Sequence, residues 1–173
     1  MNQLGSPAGV PARPGRRGWL AVPALLALAL PLGAAEEKKT GRLLSADASV
    51  LARASFDKPW QILKQNQELP PDHLLVGMPG AVLEAPSKAV TLTFLTDLDV
   101  RSPRPSLESA VIVHPAGKFD MDFTLDRGRV DLVNNKAQGS ASVRVRFRDV
   151  VWELTLETPG TRVALELFGR WPA

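Results

Sequence analysis

Apolar and polar residues alternate most persistently between Lys118 and Gly169, and five short segments can be cut from that stretch. In the first, Phe119, Met121, Phe123 and Leu125 alternate with Asp120, Asp122, Thr124 and Asp126. A period of two puts one set of side chains on each face of a strand. Arg127-Gly128 reads as a tight turn, because glycine tolerates positive φ, and Val130 and Leu132 resume the apolar set. A hairpin closed there sets Leu125 against Val130 and Phe123 against Leu132. The second hairpin joins Val143, Val145 and Phe147 to Trp152, Leu154 and Leu156. With its turn centred on Asp149-Val150, or widened to a loop over 148–151, Phe147 meets Trp152 and Arg146 meets Glu153. Arg144 then lies across from Thr155. A fifth strand, Arg162 to Phe168, follows Pro159-Gly160.

Upstream, the pattern predicts strands at Pro59–Leu63, His73–Val76, Ala81–Glu84, Val90–Leu95 and Glu108–His114, with Gly- and Pro-rich breaks between them. Leu43-Leu44 and Val50-Leu51 are apolar pieces that fit edge strands or a loose helical turn. No segment after residue 40 carries a helical period. The fold expected is all-β: an antiparallel β-sandwich or roll of short strands behind an N-terminal signal segment. Phe123, Leu132, Val145, Trp152, Leu154 and Leu165 are its expected core.

Residues 1–35 have the form of a secretory signal. Arg13, Arg16 and Arg17 precede an apolar run of about 14 residues, Trp19 to Leu32, and Gly33-Ala34-Ala35 offers a cut after Ala35. The run is short for a membrane span and holds Pro23 and Pro31, so an uncleaved anchor is the alternative. Arg16-Arg17-Gly18-Trp19-Leu20 fits an ordinary basic region or a twin-arginine motif. Residues 36–58 are expected as a flexible leader or edge strands, and 59–173 as the β domain.

Export changes the charge balance. The whole chain carries 21 Lys+Arg against 18 Asp+Glu, but the three arginines of the signal account for that excess. The mature chain is formally neutral, which gives no support for nucleic-acid binding. The chain has no cysteine, so disulfides, thiolate metal sites and a cysteine nucleophile are excluded.

Candidate chemistry is sparse. Asp120, Asp122, Asp126 and Asp131 gather acidic oxygens, but calcium-loop spacing is missing and pairing with arginines is the expected role. His73 and His114 are the only histidines, and no motif supplies a nucleophile for either. A concave pocket with a histidine beside a carboxylate would point to a hydrolase. Trp60, Trp152 and Trp171 could stack on sugars, and exposure of Trp60 and Trp171 on one surface would favour that reading. Arg144, Arg146 and Arg148 form a basic row. It is the candidate interaction surface, for a protein partner or for an anionic glycan or lipid. No cofactor, metal or enzyme activity is expected.

The stretches LLVGMPGAVLEAPSKAVTLTF at 74–94, DFTLDRGRVDLVN at 122–134 and PGTRVALEL at 159–167 resemble the FecR family over residues 60–168. The resemblance implies a periplasmic or envelope β domain that senses or transmits through protein contacts, commonly in iron-uptake signalling. Signalling members of the family carry an anti-sigma segment before the membrane helix. Only about 18 residues precede the apolar run here, too few to fold, so direct control of a sigma factor is not expected. The function expected is an exported, non-enzymatic domain for envelope sensing, signalling or assembly, with a carbohydrate-binding module as the alternative.

Overall fold

The computed structural model describes residues 40–96 and 108–167. The signal segment, the Ser102–Ser106 loop and Trp171 lie outside those residues. The described chain contains eleven strands and no helix. It forms an all-β, curled sheet with the shape of a half-barrel.

One strand organises it. Strand β8, Met121–Asn134, runs for 14 residues and belongs to both flanks of the sheet. Its first half pairs with β7 (Ser109–His114) and β9 (Ala141–Phe147). Its second half pairs with β6 (Val90–Leu95) and β11 (Arg162–Leu167). Beyond β6 lie β5 (Val82–Glu84) and β1 (Arg42–Leu43). Beyond β7 lie β4 (Leu74–Gly77), β2 (Val50–Arg53) and β3 (Gln61–Ile62). Beyond β9 lies β10 (Val150–Leu156). Nine of the ten strand pairings are antiparallel; β8 with β9 is parallel, which the antiparallel expectation did not include. Strands β1 and β2 are part of the sheet, with Leu43, Val50 and Ala52 fully buried, so the β domain reaches back to Thr40 at least.

The hairpin expected at Arg127-Gly128 does not form; that stretch is the middle of β8. The ladder with β7 skips there, from Val111 opposite Leu125 to Ala110 opposite Arg127, which is a β-bulge. The slip moves the buried set from Met121, Phe123 and Leu125 to Val130 and Leu132, odd to even positions. Gly128 sits at φ 84° with its backbone against β7: a Cβ there would lie 2.4 Å from Ser109 Oγ and 2.7 Å from Glu108 O. Ser109 Oγ accepts the Arg129 N–H at 2.8 Å and thereby stitches the bend. A bulge and a reversal impose the same change of parity, and here the glycine serves the bulge.

The second hairpin forms two residues out of the expected register. Its turn is Arg148-Asp149, with Arg148 at φ 50°, and Phe147 pairs with Val150. Glu153 therefore lies opposite Arg144, and Val151 opposite Arg146. A shift of two preserves the faces, so the alternation stays satisfied.

Phe123, Leu132, Val145 and Leu165 are core residues as expected. Trp152 is not: it is 50% exposed, and Leu154 is only partly buried against the core. β10 pairs with β9 alone among the described strands, which leaves its other edge without a strand partner among the described residues. Phe94 and Phe123 are the largest fully buried side chains. Gly77 makes room for the first, since a Cβ at Gly77 would fall 2.2 Å from the Phe94 ring.

Candidate functional site

With Met121, Phe123 and Leu125 turned inward, Asp122 and Thr124 point to the outer face of β8. The parallel ladder with β9 sets Arg144 beside Asp122 and Arg146 beside Thr124. Asp122 is only 2% exposed, so its charge needs a partner. Arg146 supplies a bidentate one, Nε to Oδ1 at 3.0 Å and Nη2 to Oδ2 at 2.6 Å. The hydrogen bonding to Asp122 holds the Arg146 guanidinium above its ordinary pKa, against the opposing effect of burial. Arg144 lies 3.6 Å from Asp122 Oδ2, donates from Nη2 to Glu153 Oε1 at 3.3 Å, and stacks 4.1 Å over the Phe119 ring. Its Nε is buried without a hydrogen-bond partner.

The basic row is therefore not a row. Arg144 and Arg146 are committed to Asp122 and Glu153, while Arg148 is an exposed turn residue apart from them. Arg146 was expected across from Glu153; the register shift gives that glutamate to Arg144. The acidic residues read as a calcium candidate are each paired with a cation: Asp120 with Lys136, Asp122 with Arg146, Asp126 with Arg127 and Asp131 with Arg162. Burial pushes the Asp120 carboxyl up, but hydrogen bonds from Lys136 and the Ser142 amide outweigh it and hold it below the usual range. Among the described residues no group of three or more His, Cys, Asp or Glu side chains could hold a metal ion.

The histidines differ from each other. Among the described residues His73 bonds locally, Nδ1 to Pro71 O at 2.8 Å. His114, at the end of β7, joins two side chains from other elements. Its Nδ1 lies 2.6 Å from Asp72 Oδ1, and its Nε2 lies 2.8 Å from Thr124 Oγ1. Asp72, in the turn before β4, takes φ 58°, and its amide donates to Val113 O at 2.9 Å. The carboxylate is thereby fixed beside the residue that follows Val113. A histidine beside a carboxylate is present, then, on the outer face of the sheet. Asp72 and Thr124 carried no local signal: 42 residues separate Asp72 from His114, and the pairing of β4 with β7 brings them together. The alternation that points Thr124 and His114 outward was the one clue available.

Among the described residues, exposed apolar side chains cluster in two places. At the tip of the second hairpin Val150, Val151 and Trp152 are each about half exposed, and Trp152 packs edge-to-face on Phe147 at 4.9 Å. Phe147, Val150 and Trp152 line a cleft of about 400 Å³ together with Leu165 and Leu167 of β11. The second place is beside β2 and β3, where Phe56 is 91% and Trp60 41% exposed. Arg53 lies 4.4 Å from the Trp60 ring and 5.1 Å from the Phe56 ring.

Compared with known proteins, the chain matches no family model, no curated protein and no solved structure.

Proposed function

We propose that the chain is an exported β domain that works through protein contacts at the cell envelope, as its resemblance to the FecR family implies. The observation that carries this is the apolar tip of the β9–β10 hairpin. Three large residues in succession, Val150, Val151 and Trp152, stay half exposed on an edge strand, where charged or proline residues normally discourage pairing. Aromatic anchors beside an apolar cleft are what protein partners bury. A photo-crosslinking residue placed at Val151 in producing cells should give a discrete adduct, and the same residue at Gly139 should not. No adduct at Val151, or equal adducts at both positions, overturns the reading. Export is checked separately, by N-terminal sequencing of the envelope fraction, which should begin at Glu36.

A carbohydrate-binding reading draws on Trp60, whose exposed ring could stack on a sugar. Arg53 already occupies part of that ring's surroundings, so a sugar must share or displace it. Retention on glycan columns that disappears in Trp60→Ala would favour this second reading.

A further inference from the structure

The chain Asp72–His114–Thr124 has the polarity of a nucleophile, a base and a group that orients the base. An ionised Asp72 can only accept, so His114 Nδ1 must carry the proton of the 2.6 Å bond. Whenever the ring is neutral, Nε2 is its acceptor, and Thr124 Oγ1, 2.8 Å away, is placed to donate its hydroxyl proton there. Three side chains from three elements, none adjacent in sequence, are needed to build this order, and the same order of contacts activates hydroxyl nucleophiles in unrelated folds.

The strand registers supply surroundings. Residues paired across strands share a face, so Leu74, Ile112, Thr124, Arg146 and Val151 form one row over β4, β7, β8, β9 and β10. On one side of Thr124 the row is apolar and half-buried, through Ile112 and Leu74. On the other side stands Arg146, which spends two of its five N–H groups on Asp122. An apolar acyl chain fits the first side, and the developing negative charge of a carbonyl oxygen fits the second.

We propose that Thr124, His114 and Asp72 form an acyl-transfer site for esters of apolar acids. Thr124 Oγ1 attacks the ester carbonyl carbon while its proton passes to His114 Nε2. The carbon–oxygen bond of the ester breaks, and the alcohol leaves with that proton, which gives an acyl-Thr124. Water attacks the acyl carbon, gives its proton to Nε2, and the proton returns to Thr124 as the carboxylic acid departs. Ester and water become acid and alcohol, with no other reactant. Thr124 and His114 are the catalytic residues, and Asp72 is a positioning residue.

The test uses the purified full chain and 4-nitrophenyl butanoate. A burst of about one nitrophenolate per chain should accompany a single butanoyl adduct, which tandem mass spectrometry places on Thr124. Thr124→Val should abolish burst and adduct, and Thr124→Ser, which keeps the hydroxyl, should retain both. His114→Gln should slow acylation about 10²–10⁴-fold. Asp72→Asn should slow acylation while leaving the half-saturating ester concentration unchanged, a split that loss of packing would not produce. Folded wild-type chain that shows no adduct, or an adduct elsewhere than Thr124, overturns the proposal. So does acylation at an unchanged rate in His114→Gln. Should that variant fail to fold, a Thr124→Ser chain without adduct overturns it equally.

Discussion

Arg146 and Asp122 grip each other through two hydrogen bonds, 3.0 and 2.6 Å, on strands that run parallel. Removing the arginine strands an almost wholly buried carboxylate, with Arg144 3.6 Å away as its remaining cation. Arg146→Ala should therefore cost about 2–4 kcal/mol in urea unfolding, since an unpaired buried charge is expensive. Arg148→Ala, in the turn, should stay within about 0.5 kcal/mol of wild type. Equal effects of the two substitutions would contradict the geometry.

Gly128 and Gly139 make a matched pair. Both sit at positive φ, 84° and 78°, but only Gly128 has neighbours where a Cβ would go. Gly139→Ala should cost about 1–2 kcal/mol from backbone strain alone. Gly128→Ala adds a collision with the backbone of Glu108 and Ser109 and should cost about 2–4 kcal/mol. Thermal denaturation of the two variants measures the difference.

Core and edge should separate as clearly. Leu132→Ala removes a fully buried side chain and should cost about 2–5 kcal/mol. Trp152→Ala removes a larger side chain that is already half in water, and should cost about 1–2 kcal/mol. If the tryptophan proves the more expensive, the hairpin tip is covered in solution.

Acid should act through Asp120. Its pKa is lowered below the ordinary 3.8, so the unfolded chain takes up the proton before the folded one does. The stabilisation is fully present above 3.8 and is lost as pH falls through the folded value. Asp120→Asn should flatten the stability profile below pH 3.8, as followed by circular dichroism against pH. An unchanged acid limb would show that the Lys136 contact contributes nothing.

Local alternation made the strands and their faces legible, because a half-buried strand needs one apolar side whatever its partners are. Pairing was harder to read. At Gly128 the change of parity is shared by a turn and a bulge, and the close approach of Ser109, which decides between them, comes from a segment about 20 residues away. At Arg148-Asp149 a shift of two residues leaves every face intact, so the pattern could not choose the partner of Glu153. Arg144 and Arg146 read as a surface row because the acid that holds them, Asp122, belongs to a strand that joins β9 in parallel. The Asp72–His114–Thr124 chain was invisible for the same reason: its members meet only through long-range ladders.

Strand β8 has a consequence for how the molecule comes into being. It is the common neighbour of β6, β7, β9 and β11, and it starts at Met121. A growing chain that ends before that residue holds strands with no strand to join their two flanks. Productive folding must wait for β8 to emerge, so contacts distant in sequence gate the rate. Until then β6 and β7 present apolar edges to any cellular holdase. Once β8 is in place, the two flanks cannot separate without breaking one of its ladders, and amide protection should be lost from β8 last of all.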